Sequence, residues 1–158
     1  RGRDQAAAAL FMIPALLPLI LGVVLEMRLL FKMWSAIQDG EPRTTPGEAI
    51  GYLFIPGFNL YWMFQAYWGW ARDFNRYVKK QRIDAPHVSE AAPLVLCLLF
   101  LGAVLAWLWF PAPWISLCLL FGSAAMLLVF LNSGVDALRA VLAFKRIVYS
   151  SPSRAAHG

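Results

Sequence analysis

Asn59 and Gln65 have the most scope for chemistry in this sequence, because they lie within an apolar run, Ala49 to Ala71, long enough to cross a bilayer. A carboxamide at bilayer depth needs a partner, so each either holds a neighbouring helix or serves something that passes or binds. Just before them stands Pro56-Gly57, which removes a backbone donor and admits backbone angles closed to other residues. Pro56, Gly57, Asn59 and Gln65 are therefore expected to form a helix break and packing unit that faces protein and not acyl chains. A second set comes after Tyr67, Trp68 and Trp70: Arg72, Arg76, Lys79, Lys80 and Arg82. It suits contact with anionic lipid headgroups, at about 1 kcal/mol per basic residue near the surface, or it serves only to fix topology.

Beyond these the residues exclude chemistry. His87 and His157 have no Cys, Asp or Glu at metal-ligand spacing, so no metal is expected. A nucleophile motif, paired intramembrane carboxylates and a glycine-rich phosphate loop are all missing, so the reading is of a chain that is not an enzyme and needs no cofactor. Cys97 and Cys118 lie in apolar runs at depths that put them in opposite leaflets, which argues against a disulfide and for small buried hydrophobes. Asp136 and Arg139, three apart, read as a helix-surface ion pair.

The elements that must position these residues are membrane helices. Of the 158 residues, 60% are hydrophobic, and the mean hydropathy of +0.59 exceeds what soluble domains carry. Lys and Arg outnumber Asp and Glu by 14 to 9, but the basic excess sits between apolar runs, which is a topology signal and not a nucleic-acid footprint. The fold class is all-α, an integral membrane four-helix bundle. A polar N-terminal stub, 1–5, precedes a transmembrane domain over 6–149, with spans at about 6–25, 49–71, 91–110 and 114–135, and 150–158 is a disordered tail. Pro14 and Pro18 should bend the first span. Helices one and four should extend past the bilayer, the first to about Gln38 and the Asp39-Gly40 stop. The second should start with a capping box at Thr45-Pro46-Gly47-Glu48, and Pro111-Ala112-Pro113 makes spans three and four an antiparallel hairpin.

Four crossings put eleven basic residues on one side and only Arg28, Lys32 and Arg43 on the other. By the positive-inside rule both termini are then cytoplasmic in a multi-pass inner-membrane protein. The break at Pro56-Gly57 leaves a second path open, in which Ile50 to Ala71 re-enters and leaves on one face. The function expected is a non-catalytic subunit or scaffold of a larger membrane complex, with a homo-oligomeric channel or transporter component as the alternative. Its partners would be membrane lipids and other membrane subunits or copies of itself, without nucleic acid.

Met33 to Tyr77 resembles a type of small bacterial multi-span membrane protein, a domain of unknown function, in which a TPG entry leads to a helix with an IPxxNLYW-like core. The resemblance rests on Thr45, Pro46, Gly47, Ile55, Pro56, Asn59, Tyr61 and Trp62. It implies a bacterial inner membrane and a multi-helix architecture, and it carries over no catalytic residue.

Overall fold

The computed structural model describes residues 2–109 and 113–150, with side chains described from residue 17 onward except at 18, 19, 40, 113, 116 and 150. Every regular element among these residues is helical: α1 (Gly2–Ala36), α2 (Pro46–Gly51), α3 (Phe58–Met63), α4 (Trp70–Gln81), α5 (Ala91–Trp109) and α6 (Pro113–Ser150). Short 3-10 turns lie at Gln38–Gly40 and Tyr52–Phe54, and a π turn at Phe64–Gly69 joins α3 to α4. The helix already runs at Gly2, so residues 2–5 of the stub expected over 1–5 are part of α1. The side chains of Pro14 and Pro18, the turn at 110–112 and the tail at 151–158 lie outside the described residues.

α5 and α6 form an antiparallel hairpin with close packing at small residues. A Cβ at Gly122 would lie 3.3 Å from Leu99 and one at Gly102 3.7 Å from Leu119, so the helices approach to side-chain contact over bare backbone. Among the described residues, Ala91–Trp109 and Leu117–Tyr149 are long and apolar enough to cross a membrane. Most of the first expected span, 6–25, falls where side chains are not described. α1 runs parallel to α6. Glu26 shares a cavity with Leu127, Met33 packs on Gly134, and Asp39, just past α1, meets Lys145, so the two numberings rise together.

The second expected span is where expectation and structure part. Residues 46–81 do not traverse; they go out and come back. α2 opens on the expected capping box, with Thr45 Oγ1 accepting from the Glu48 amide at 3.3 Å and Glu48 Oε2 from the Thr45 amide at 2.9 Å. The chain then turns through Ile55-Pro56-Gly57, with Gly57 at φ 79°, and α3 returns along α2. Trp62 Nε1 donates to the Ala49 carbonyl at 3.2 Å, and the Tyr52 and Trp62 rings meet edge-on at 4.6 Å. Entry and exit are joined as well: Arg43 Nε donates to Asp73 at 3.1 Å, and the Lys80 ammonium lies 4.0 Å from Glu41. The four-helix bundle with a crossing over 49–71 is replaced by three long helices and a helical hairpin.

The break also faces the other way from the expectation. Phe54, Ile55, Pro56, Gly57, Phe58 and Tyr61 are exposed, with Phe54 at 66%. A protein-facing break was expected because freed backbone groups need partners. Here the hairpin supplies them itself, through Ile55 N–H to the Tyr52 carbonyl at 3.3 Å and Asn59 N–H to the Ile55 carbonyl at 3.0 Å.

The core lies where the C-terminal end of α1, α4 and the middle of α6 meet. Trp34, Trp70, Phe74, Phe130, Leu30, Met33 and Ile37 are almost fully buried there, with Trp70 stacked on Phe74 at 5.0 Å and edge-on to Phe130 at 5.7 Å. α6 does run on past the level of Ala91, as expected, but Ala137 and Val141 on this stretch are buried against the rest of the core.

Candidate functional site

The loop between α4 and α5 is held by one residue. Asn75 Nδ2 donates to the Val88 carbonyl at 2.8 Å and its Oδ1 accepts from the Val88 amide at 3.1 Å, so the carboxamide pairs the loop as a second backbone would. A cleft of about 540 Å³ opens beside it, lined by Arg72, Arg76, Lys79, His87 and Glu90. The Arg72 guanidinium lies over the Trp68 ring at 4.8 Å, and Arg76 sits 3.5 Å from Asp73. Three basic side chains against Glu90, the one carboxylate on the cleft's wall, with Asp73 beneath Arg76, suit a small anion or an anionic headgroup. Lys80 and Arg82, expected in the same set, are not in this cleft. Lys80 turns to Glu41, and Arg82 takes the left-handed backbone that ends α4.

Below the cleft an ionic cluster ties the elements together. Asp73, with 3% of its side chain exposed, accepts from Arg43 Nε at 3.1 and 3.3 Å and from the Arg43 amide at 3.3 Å. Asp39 accepts from Lys145 at 2.9 Å and from the Tyr77 hydroxyl at 3.2 Å, which joins the end of α1 to α4 and α6. Burial pushes the Asp39 carboxyl up, but the Lys145 ammonium and the Tyr77 and backbone hydrogen bonds outweigh it, so its pKa lies below the usual aspartate value. The Tyr77 phenol is pushed up to about 12, first by burial and then by the Asp39 carboxylate that it faces. Asp136 and Arg139 form the expected pair at 3.2 Å, exposed and therefore worth little.

Asn59 and Gln65 are not brought together. Gln65 Nε2 donates to the Tyr61 hydroxyl at 3.2 Å on the same helical stretch. Asn59 instead lines a cavity of about 400 Å³ between α1, the hairpin, α5 and α6, together with Glu26, Tyr67 and Ser123. The π turn has a part in this. It carries the Ala66 carbonyl, which accepts from Trp34 Nε1 at 3.1 Å, and on it Tyr67 donates its hydroxyl to Glu26.

Glu26, Asp73, Arg43 and Asp39 were not among the site residues read from the sequence. Glu26 comes directly after an apolar run with no turn signal between, and Asp73 is the one acid in a basic segment; both are signals of a charge held inside. No protein-family model, curated protein or solved structure matches the chain.

Proposed function

We propose that this chain is an integral membrane protein of the bacterial inner membrane that works as a non-catalytic subunit or scaffold of a membrane assembly. One observation carries the reading: the exposed apolar face of α5 and α6 is longer than a bilayer needs. The two apolar stretches are only 28% and 17% buried within the molecule, with Trp107, Trp109, Phe121 and Leu128 each more than 60% exposed. A soluble domain does not leave such a surface to water. α6, at 38 residues, is about 57 Å long against about 30 Å of hydrocarbon. The face continues beyond the level of Ala91 with Leu142 at 51%, Val148 at 47% and Tyr149 at 72% exposed, past the reach of acyl chains, where another protein chain is the cover that fits.

In this reading α1, α5 and α6 cross and the hairpin over 46–81 re-enters. Among the described residues only Arg3 precedes Arg28, so the eleven Lys and Arg residues from Arg28 to Arg146 gather toward the end that holds the ionic cluster and the cleft. The positive-inside rule makes that end cytoplasmic and puts α1's N-terminus on the far side. The cleft of Arg72, Arg76 and Lys79 then lies at the inner headgroups.

The test is the native mass of the full chain extracted in mild detergent, beside that of Leu142→Arg/Tyr149→Arg. The expected result is an assembly for the wild type and its loss in a folded variant; a wild-type monomer with no partner refutes the subunit reading.

A further inference from the structure

We propose that the cavity holding Glu26 binds a single-chain amphiphile with an ammonium head, the head on Glu26 and the alkyl chain along the apolar wall. The cavity, about 400 Å³, is within the range of small-molecule sites. Leu96 and Phe100 on its wall stand roughly 8 and 14 Å beyond the start of α5 at 1.5 Å per residue, below the headgroups and within hydrocarbon. A carboxylate at that depth calls for a countercharge or a proton.

Among the described residues no ion pair reaches Glu26, and no Lys, Arg or His lines the cavity. Tyr67 donates its hydroxyl to Glu26 and so fixes the carboxyl without answering its charge. The other polar side chains on the wall, Asn59 and Ser123, each carry an oxygen able to accept. Ser123 spends its proton on the Leu120 carbonyl at 2.8 Å, leaving its lone pairs, and the Asn59 carboxamide has no hydrogen-bond partner among the described residues. An ammonium brings three donors and one positive charge, which matches the Glu26 carboxylate, Asn59 Oδ1 and Ser123 Oγ. Met63, Leu96, Leu120 and Leu127 give the wall for the chain. A zwitterionic phospholipid fits less well, since its phosphate would meet no cation there.

This inference rests on the embedding of the helices in a bilayer and not on the subunit reading. The probe is dodecylammonium, added below its micelle concentration to the full chain in a neutral maltoside. Native mass spectrometry and thermal unfolding should show one bound amine and a concentration-dependent rise in Tm. Dodecanol and dodecylphosphocholine should give neither, and Glu26→Gln should weaken binding at least tenfold. Equal binding by the controls or by the variant overturns the proposal. Should Glu26→Gln fail to fold, the wild type is treated with dicyclohexylcarbodiimide and Glu26 is followed by peptide mass. The amine should slow labelling; no labelling, or labelling that the amine leaves unchanged, also overturns it. Flotation of the same preparation with liposomes tests the embedding separately, and the native mass tests the subunit reading.

Discussion

Trp34 and Trp70 are both buried to about 1% exposure, yet only one has its indole N–H paired. Trp34 Nε1 donates to the Ala66 carbonyl, while Trp70 Nε1 is buried with no partner among the described residues. Replacing either by Phe removes the same ring volume, so the difference isolates the hydrogen bond. Trp34→Phe leaves a buried carbonyl unsatisfied and should cost about 1–2 kcal/mol more than Trp70→Phe, which removes an unpaired donor. Thermal unfolding of the two variants measures this, and equal losses would refute it. The pair of Asp39 and Tyr77 sets a second expectation. Asp39 has a folded pKa below its ordinary value of 3.8, so its contribution is present above that value and is lost as pH falls through the lower, folded one. Tyr77 has its pKa raised from 10 to about 12, so stability falls as pH rises between the two. The Tm should therefore be flat between, and drop on both sides. Tyr77→Phe, which removes the phenol and with it the hydrogen bond to Asp39, should reduce the alkaline drop and also lessen the acid one.

At the scale of elements, the hairpin turns on Gly57. Its φ of 79° is a conformation that side chains strain to adopt, while a Cβ there would meet nothing within 4 Å. Gly57→Ala should thus cost about 1–2 kcal/mol from backbone strain alone. Gly51 is the control: it is helical, at φ −57° and ψ −42°, with equal room for a Cβ, and Gly51→Ala should stabilise by about 0.5–1 kcal/mol. Thermal unfolding of both checks the opposite signs. Thr45-Pro46-Gly47-Glu48 and Pro56-Gly57 made the start of α2 and the break legible in the sequence, since caps and breaks are written in neighbouring residues. The direction taken after the break was not. It depends on Trp62 reaching Ala49 and Asp73 reaching Arg43, across 13 and 30 residues. For the same reason the basic set 72–82 was visible as a segment, but its division between the cleft and Glu41 was not. The cavity at Glu26 needs four separated elements to close, and no stretch of sequence holds it.

At the scale of the whole molecule, the joining of Arg43 to Asp73 puts both feet of the hairpin at one end. In a bilayer, reporters inserted at Arg43 and at Gln81 should report the same side, shared with one placed after Ser150, and one ahead of Gly2 the opposite side. Different sides for Arg43 and Gln81 would restore four crossings. The hairpin is then silent in parity. Because residues 46–81 return to the end they left, shortening or removing the excursion should leave the sidedness of everything after it unchanged, whereas on the proposed topology losing any one of α1, α5 or α6 should invert every later segment. On the proposed topology the hairpin can vary in length and depth without re-addressing the rest of the chain, a freedom that none of the three helices proposed to cross has.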